Sequence, residues 1–471
     1  MAELYVNSRL HIKNYTKDML DWAKEKLIFN NPKYIKAEAL GKWTGNIEKY
    51  IYMYEIRNNV LVLPFGCFKD FYLKFKNDLS VVKSLISPVR NIKNNSNIKL
   101  YPYQELAVNR LLSAKNGILV SPCGSGKTIM GLEIVARLGL KTLWIAHTND
   151  LVQQAMDRAK ANFDLDFAKY GTISAGKVKI GDITFATAQT LCNLDLPLYK
   201  NEFDVIVIDE CHHIYKGDNS LAMYYKILNN LSARYRFGLT ATPKRSDGLE
   251  RCMTALLGNV EYKIPKEEVK KFTCPVKVMK VETDYKPNLD VVLAGDGTIV
   301  YSSLINDLIQ NQERNEFIAK DLSGLLLQFD GKMLILSDRV EHLTRLRELI
   351  KNELPSTFGI KQLMALSNSK KAREERRQVL KDLNDGKINV VLATYALAKE
   401  GLDVPNLNYV VFASPQKDET TVTQSAGRVG RKAKGKEYGV VVDYVDNKFG
   451  MLAGFSRKRN SVYKKLEYEI L

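Results

Sequence analysis

The chain has 471 residues, which at roughly 150 residues per domain bounds it near three domains, and its 45% hydrophobic and 26% charged composition excludes a disordered or fibrous protein. Seventy Lys and Arg against 53 Asp and Glu leave a net charge of +17 and a pI near 9.3, a balance that favours a polyanionic partner because each neutralised phosphate releases counterions. Six cysteines without a C-x-x-C pair exclude a disulfide frame and read as reduced thiols, and the lack of a long apolar run or signal-peptide core points to a soluble, cytoplasmic protein with no membrane partner.

Residues 1–95 carry 16 Lys/Arg against nine Asp/Glu and are rich in aromatics. Asp18–Leu27 has the spacing of a short amphipathic helix. The β-prone run Lys49–Ile56 leads through Arg57-Asn58-Asn59 into Val60–Leu63, which predicts a hairpin with an Asn-rich turn. The pattern is that of a small basic α+β module for duplex or branched nucleic acid, closed by the polar linker Asn91–Asn97. Most of its aromatics form a small core on this reading, and the remainder are free to stack on bases.

From residue 98 the chain becomes α/β. Short apolar strands at Gly117–Val120, Thr142–Ala146, Ile183–Ala186, Val205–Ile208 and Gly238–Thr240 alternate with helical segments. A second series follows at Met333–Leu336, Val390–Ala393, Val410–Ala413 and Gly439–Val442. Uniformly apolar runs fit parallel strands buried on both faces, so two parallel-sheet domains are expected, at 98–270 and 271–471. The stretch 260–330 completes the first, crosses over and begins the second.

Strand Gly117–Val120 runs into Ser121-Pro122-Cys123-Gly124-Ser125-Gly126-Lys127-Thr128, with a helix-forming segment after it. Gly124 and Gly126 allow backbone N–H groups to wrap phosphates, and the helix N-terminus adds positive potential. Lys127 is expected to reach the β- and γ-phosphates of ATP and Thr128 to hold Mg²⁺. Ser121 stands where the strict phosphate-loop pattern has glycine. Asp209 follows a wholly apolar strand and is the expected second Mg²⁺ ligand, with Glu210 as the base for the attacking water. An Asp-Glu pair after a strand is ordinarily a solvated loop, and only the upstream glycine loop gives it chemistry. His212 and His213 are adjacent residues expected to point apart; with no third ligand in view, they do not read as a zinc site.

Gln424, Arg428 and Arg431 lie at i, i+4 and i+7, a spacing that predicts one face of a helix. Such a face in isolation is solvated and basic. The first strand of the second sheet leads into Ser337-Asp338-Arg339 with no glycine cradle, so one nucleotide site completed by two domains is expected, with Arg428 and Arg431 as arginine fingers.

Taken together these segments resemble superfamily-two helicases, in the family's motif order over residues 100–445. The resemblance implies an α/β fold of two tandem RecA-like parallel-sheet domains behind a small α+β domain, with ATP and Mg²⁺ as cofactors. It implies that Gln104 reads adenine, that Gly401 and Asp403 lie near the nucleotide, and that His212, Thr240 and Thr242 couple the nucleotide site to neighbouring loops. Thr148, Thr187, Gln189 and Thr394 would contact the backbone of a tracked strand, although a threonine after a strand is commonly a helix cap. Cys211-His212 stands where DEAD-box proteins carry Ala-Asp. Compact size and the basic N-terminal module make the chain similar to phage recombination helicases of the UvsW type, with XPB and RecG more distant. The implied partners are DNA, duplex or branched and tracked as a single strand, with RNA as the alternative and the protein a monomer or weak oligomer.

Overall fold

Alternating burial in β1 (Ala2–Val6) and β2 (Arg9–Lys13) turns Ala2, Leu4, Val6, Leu10 and Ile12 inward. The computed structural model describes all residues except 88, 123, 216–219, 242–248, 330, 364–369, 402–406 and 434. By internal contacts the chain divides into two units, residues 1–266 and 267–471.

In the first unit, residues 1–84 build a five-stranded sheet in the order β5-β6-β2-β1-β7, from β1, β2, β5 (Glu55–Arg57), β6 (Val60–Pro64) and β7 (Leu79–Ser84). Asn58 and Asn59 both take positive φ (47° and 59°), the conformation that a two-residue hairpin turn requires and that asparagine tolerates. The aromatic run before that turn is not one strand. Tyr50–Tyr52 is β4 and pairs with β3 (Ile28–Asn30) in a separate ribbon, because Met53 is buried at the corner and donates its N–H to Leu27. Helix Lys17–Leu27, capped by Thr16, packs Trp22 edge-on to Phe71 at 5.5 Å.

The sheet of residues 1–84 shares one continuous core with the larger sheet behind it, running from Leu4 and Phe71 to Ile206 and Leu256. Two contacts fix that docking. A Cβ on Gly66 would lie 2.4 Å from the Thr254 carbonyl oxygen, so helix Glu250–Leu257 approaches bare backbone. Arg236 is fully buried, lies 4.2 Å from the Phe65 ring centroid, and donates to the Ser8 and Leu231 carbonyls. The linker is also engaged, through bridges from Asn91 to Leu140 and from Ser96 to Phe163.

The larger sheet has eight strands in the order β11-β10-β12-β9-β13-β14-β8-β15. These are β8 (Asn116–Val120), β9 (Thr142–Ala146), β10 (Tyr170–Ser174), β11 (Lys177–Lys179), β12 (Ile183–Thr187), β13 (Val205–Ile208), β14 (Tyr235–Thr240) and β15 (Val260–Lys263). All neighbours are parallel except β10 and β11. The strands that lead into the glycine loop and into the Asp-Glu pair, β8 and β13, flank β14. Their carboxyl ends thus open side by side, where open α/β sheets bind ligands.

The second unit has seven strands in the order β18-β19-β17-β20-β21-β16-β22. They are β16 (Val276–Glu282), β17 (Met333–Ser337), β18 (Ile360–Gln362), β19 (Val390–Thr394), β20 (Tyr409–Phe412), β21 (Gly439–Val445) and β22 (Glu469–Ile470), paired in parallel. The stretch 260–330 thus supplies an edge strand to the first sheet and β16 to the second. Two buried ion pairs, Arg314–Asp446 at 2.7 Å and Arg459–Asp443 at 2.9 Å, lock helices onto the end of β21.

Candidate nucleotide-binding and hydrolysis site

The glycine loop leaves β8 and enters helix Lys127–Leu138. Gly124 (φ 80°) and Gly126 (φ 82°) both hold left-handed backbone, so the sequence folds here only because these positions lack a Cβ. A Cβ at Gly124 would meet nothing within 4 Å, which leaves the loop open on that side; one at Gly126 would lie 2.6 Å from Gln104 Nε2. Gln104 Nε2 donates to the Ser125 carbonyl at 2.8 Å while its Oε1 accepts from Tyr101 N at 2.9 Å. Tyr103 Oη donates to the same carbonyl at 3.0 Å. Gln104 is therefore buried against the loop, and Tyr103, its neighbour in the same segment, braces the loop beside it. Ser125 Oγ donates to the Pro122 carbonyl at 2.6 Å and pairs with Ser121 Oγ.

At the end of β13 the chain turns sharply. Glu210 takes φ 48°, a left-handed conformation uncommon for a residue with a side chain and a mark of functional constraint. The turn sets Glu210 Oε1 3.5 Å from Lys127 Nζ, and Thr128 Oγ1 lies 3.4 Å from Asp209 Oδ2. Burial and the adjacent Glu210 charge push the Asp209 carboxyl up. Burial pushes Glu210 the same way, but Lys127 and His212 outweigh it and hold Glu210 below the usual carboxylate range. Glu210 is thus held ionised, the state a proton acceptor needs. Thr128 and Asp209 together offer a hydroxyl and a carboxylate oxygen, a donor set that suits Mg²⁺ completed by phosphates and water.

His212 Nδ1 lies 3.1 Å from Thr240 Oγ1 at the end of β14 and 3.3 Å from Glu210 Oε2, so it bridges two strand ends. The two histidines do not point apart. Their ring centroids are 4.5 Å apart, because Cys211–Tyr215 is a 3₁₀ turn that advances about 120° per residue, where a strand alternates faces. His213 in turn stacks on His147 at 4.1 Å. His147 was missed as part of this cluster; its place directly after the buried strand β9, like that of Asp209 after β13, was the available signal. No group of three or more His, Cys, Asp or Glu suited to a metal occurs among the described residues.

The other expected residues have different fates. Thr148, Thr187 and Thr394 accept backbone N–H bonds from Leu151, Thr190 and Leu397, so each hydroxyl caps the segment that follows it, while Gln189 is exposed. Cys123, Thr242 and Asp403 lie outside the described residues, and Gly401 ends helix Tyr395–Gly401.

In the second unit Gln424, Arg428 and Arg431 do not share a helix face. Helix Glu419–Ala426 stops at Gly427, and the chain continues in tighter i→i−3 turns through Gly430. Gly427, the β-branched Val429 and Gly430 weaken helix there. Arg431 instead forms an isolated bridge with Thr273, just ahead of β16. Arg428 Nη2 donates to the Ala398 carbonyl, and the buried Gln424 Oε1 meets no hydrogen-bond partner among the described residues.

A parallel-sheet unit with a glycine phosphate loop, a paired carboxylate turn and a second parallel-sheet unit defines an ATP-dependent helicase. Residues 97–245 match the family model described as type III restriction enzyme, res subunit, and residues 316–433 match the helicase conserved C-terminal domain; the chain belongs to the superfamily-two helicases. It is 28% identical over 429 residues to the DNA 3'-5' translocase XPB2 of Sulfurisphaera tokodaii, covering 84% of this chain and 90% of that one. It is 26% identical to the ATP-dependent DNA helicase uvsW of Enterobacteria phage T4, over 81% of this chain and 74% of that one. It is also 26% identical, over 93% of this chain and 79% of the other, to L396 of Acanthamoeba polyphaga mimivirus, whose assigned name is that of an ATP-dependent RNA helicase. No helix among the described residues is long and apolar enough to cross a membrane.

Proposed function

We propose that the chain is an ATP-driven DNA translocase that remodels branched DNA, unwinding forks and migrating junctions. The observation that carries the motor is the Lys127–Glu210 contact across the ends of β8 and β13, with Thr128 and Asp209 beside it. Lys127 and the loop N–H groups hold the phosphates, Thr128 and Asp209 are the residues that would hold Mg²⁺, and Glu210 takes a proton from the attacking water. Bound magnesium would supply charge neutralisation on the phosphate oxygens. His212 and Thr240 carry the state of that site along β14. Gln424, Arg428 and Arg431 complete the site from the second unit and release it after hydrolysis, so that each cycle moves the chain along a strand gripped by the loops around Thr148, Thr187, Gln189 and Thr394.

DNA as track is supported by the relatives named as DNA translocase and DNA helicase, and by the charge of +17. Residues 1–95, in this reading, recognise the duplex or branch. The name of the mimiviral relative makes RNA the competing track. The test is ATP hydrolysis and strand displacement across single strands, forks, four-way junctions and RNA, with Glu210→Gln as the inactive control. Strongest stimulation by forks or junctions is expected; stimulation by RNA alone overturns the DNA assignment, and turnover indifferent to nucleic acid overturns the motor.

A further inference from the structure

Between β3 and β4 the chain makes an excursion, residues 31–49, that does not join either sheet core. Asn31 closes it: its N–H donates to the Lys49 carbonyl, its Nδ2 to Glu48 O at 2.8 Å, and its Oδ1 caps helix Pro32–Ala39. The root of the ribbon is fixed to the nucleotide-binding unit. Phe29 is buried, the Arg251 guanidinium lies 5.3 Å from its ring centroid, and Arg251 Nη2 donates to the Glu25 and Lys26 carbonyls.

On this rigid base the large side chains face out. Trp43 is 76% exposed, Tyr52 53% and Tyr50 37%. The Trp43 indole is nonetheless held, because it lies over Gly45 where a Cβ would come within 2.4 Å of the ring. Tyr50 and Tyr52 share one face of β4 with centroids 6.4 Å apart. Lys49 Nζ stands 5.8 Å from both the Tyr34 and the Tyr50 centroids, and Lys33, Lys36 and Lys42 are exposed on the same excursion. Rings held in water at a cost in exposed apolar area, with ammonium groups interleaved, are the composition of a base-stacking surface.

We propose that Trp43, Tyr50 and Tyr52, with Lys49, form a stacking platform for the unpaired strand of the nucleic acid on which this motor acts. The proposal rests on the nucleic-acid reading above and names the single-stranded arm as the feature this face recognises. The spacing selects that occupant. Rings 6.4 Å apart and turned 71° to one another present separate faces to unstacked bases along an extended strand, whereas bases stacked in a duplex follow one another at roughly 3.4 Å and bury their faces. Because the root is pinned by Arg251, which opens the helix after β14, a strand held here is held by the unit that binds ATP.

The test uses the full chain and an oligothymidylate. Trp22 (6% exposed) and Trp144 (0%) are buried, so quenching of the solvent-accessible tryptophan signal reports Trp43. Trp43→Ala with Tyr52→Ala should weaken single-strand binding at least about tenfold, the factor given by about 1.4 kcal/mol of lost stacking, while the unfolding midpoint and duplex affinity stay at wild type. Trp43→Phe with Tyr52→Phe should restore most of the affinity. Wild-type single-strand affinity in the alanine pair overturns the platform, as does an equal loss on duplex. A change in self-association without a change in oligonucleotide binding also overturns it and marks the face as a contact between copies. If nucleic acid fails to stimulate hydrolysis by the wild type, the motor reading fails; stimulation that persists with an unaffected alanine pair sinks the platform alone.

Discussion

The two parallel sheets differ most at their carboxyl ends. In the first, Asp209 receives only modest donors, the Thr128 hydroxyl at 3.4 Å and the Glu210 amide at 3.0 Å, and Glu210 is held in left-handed backbone facing Lys127. In the second, Asp446 accepts from Arg314 Nε at 2.7 Å and from Thr283 Oγ1 at 2.5 Å, and Asp443 is gripped by Arg459 and Tyr463. Carboxylates at the carboxyl end of a buried strand thus serve opposite ends. One saturated by its own arginine holds helices to the sheet; one left with a hydroxyl and an amide keeps oxygens for a ligand. No glycine loop follows β17 among the described residues, so the part in hydrolysis proposed for the second unit falls to its arginine turn.

The largest effect that could break this contrast comes from that turn. Arg428→Ala and Arg431→Ala should each lower kcat by about 10³–10⁵ while ATP binding is largely kept, measured by steady-state hydrolysis beside equilibrium nucleotide binding. Normal turnover in both would leave the second sheet without chemistry. Glu210→Gln should cost about 10²–10⁴ in kcat with nucleotide affinity retained, which a single-turnover assay resolves from product release. A loss of binding instead would make Glu210 a structural partner of Lys127.

Asp446→Ala sharpens the other side. Leaving Arg314 buried and uncompensated should lower stability by about 3–5 kcal/mol, read as a shift in the urea midpoint, with hydrolysis intact wherever the chain is folded. The smallest effect concerns His342, buried in a chain from Ser337 Oγ to Asn315 Oδ1 at 2.9 Å on each side. Burial, with Arg314 and Arg345 adding like charge, holds it well below the usual histidine range. The folded state therefore binds fewer protons than the unfolded chain below about pH 6.5, so stability is full above that pH and falls with acid by up to about 1.4 kcal/mol per pH unit. Urea unfolding at stepped pH should show a shallower acid slope in His342→Gln; an unchanged slope assigns the acid sensitivity to other groups.

The strands were legible because burial on both faces demands uninterrupted apolar runs: Val205–Ile208 is β13 to the residue, and Asn58-Asn59 marks its hairpin because few other residues tolerate positive φ twice. The helix expected through Gln424, Arg428 and Arg431 fails because spacing describes a helix only where backbone continues it, and Gly427 ends this one. The caps at Thr148, Thr187 and Thr394 show the same limit, since a hydroxyl after a strand has a local use before any ligand arrives.

What the amino-acid order determined by itself is local: which runs are buried, where the chain must turn, and which loop can lie against phosphate. These follow from side-chain period and from glycine's missing Cβ. What only the tertiary structure decided is which distant groups meet. The seating of Gln104 and Tyr103 under the loop, the stacking of His147 on His213, and the docking of residues 1–84 through Gly66 and Arg236 depend on strand order. Strand order is set by the packing of whole faces, so no short segment encodes it.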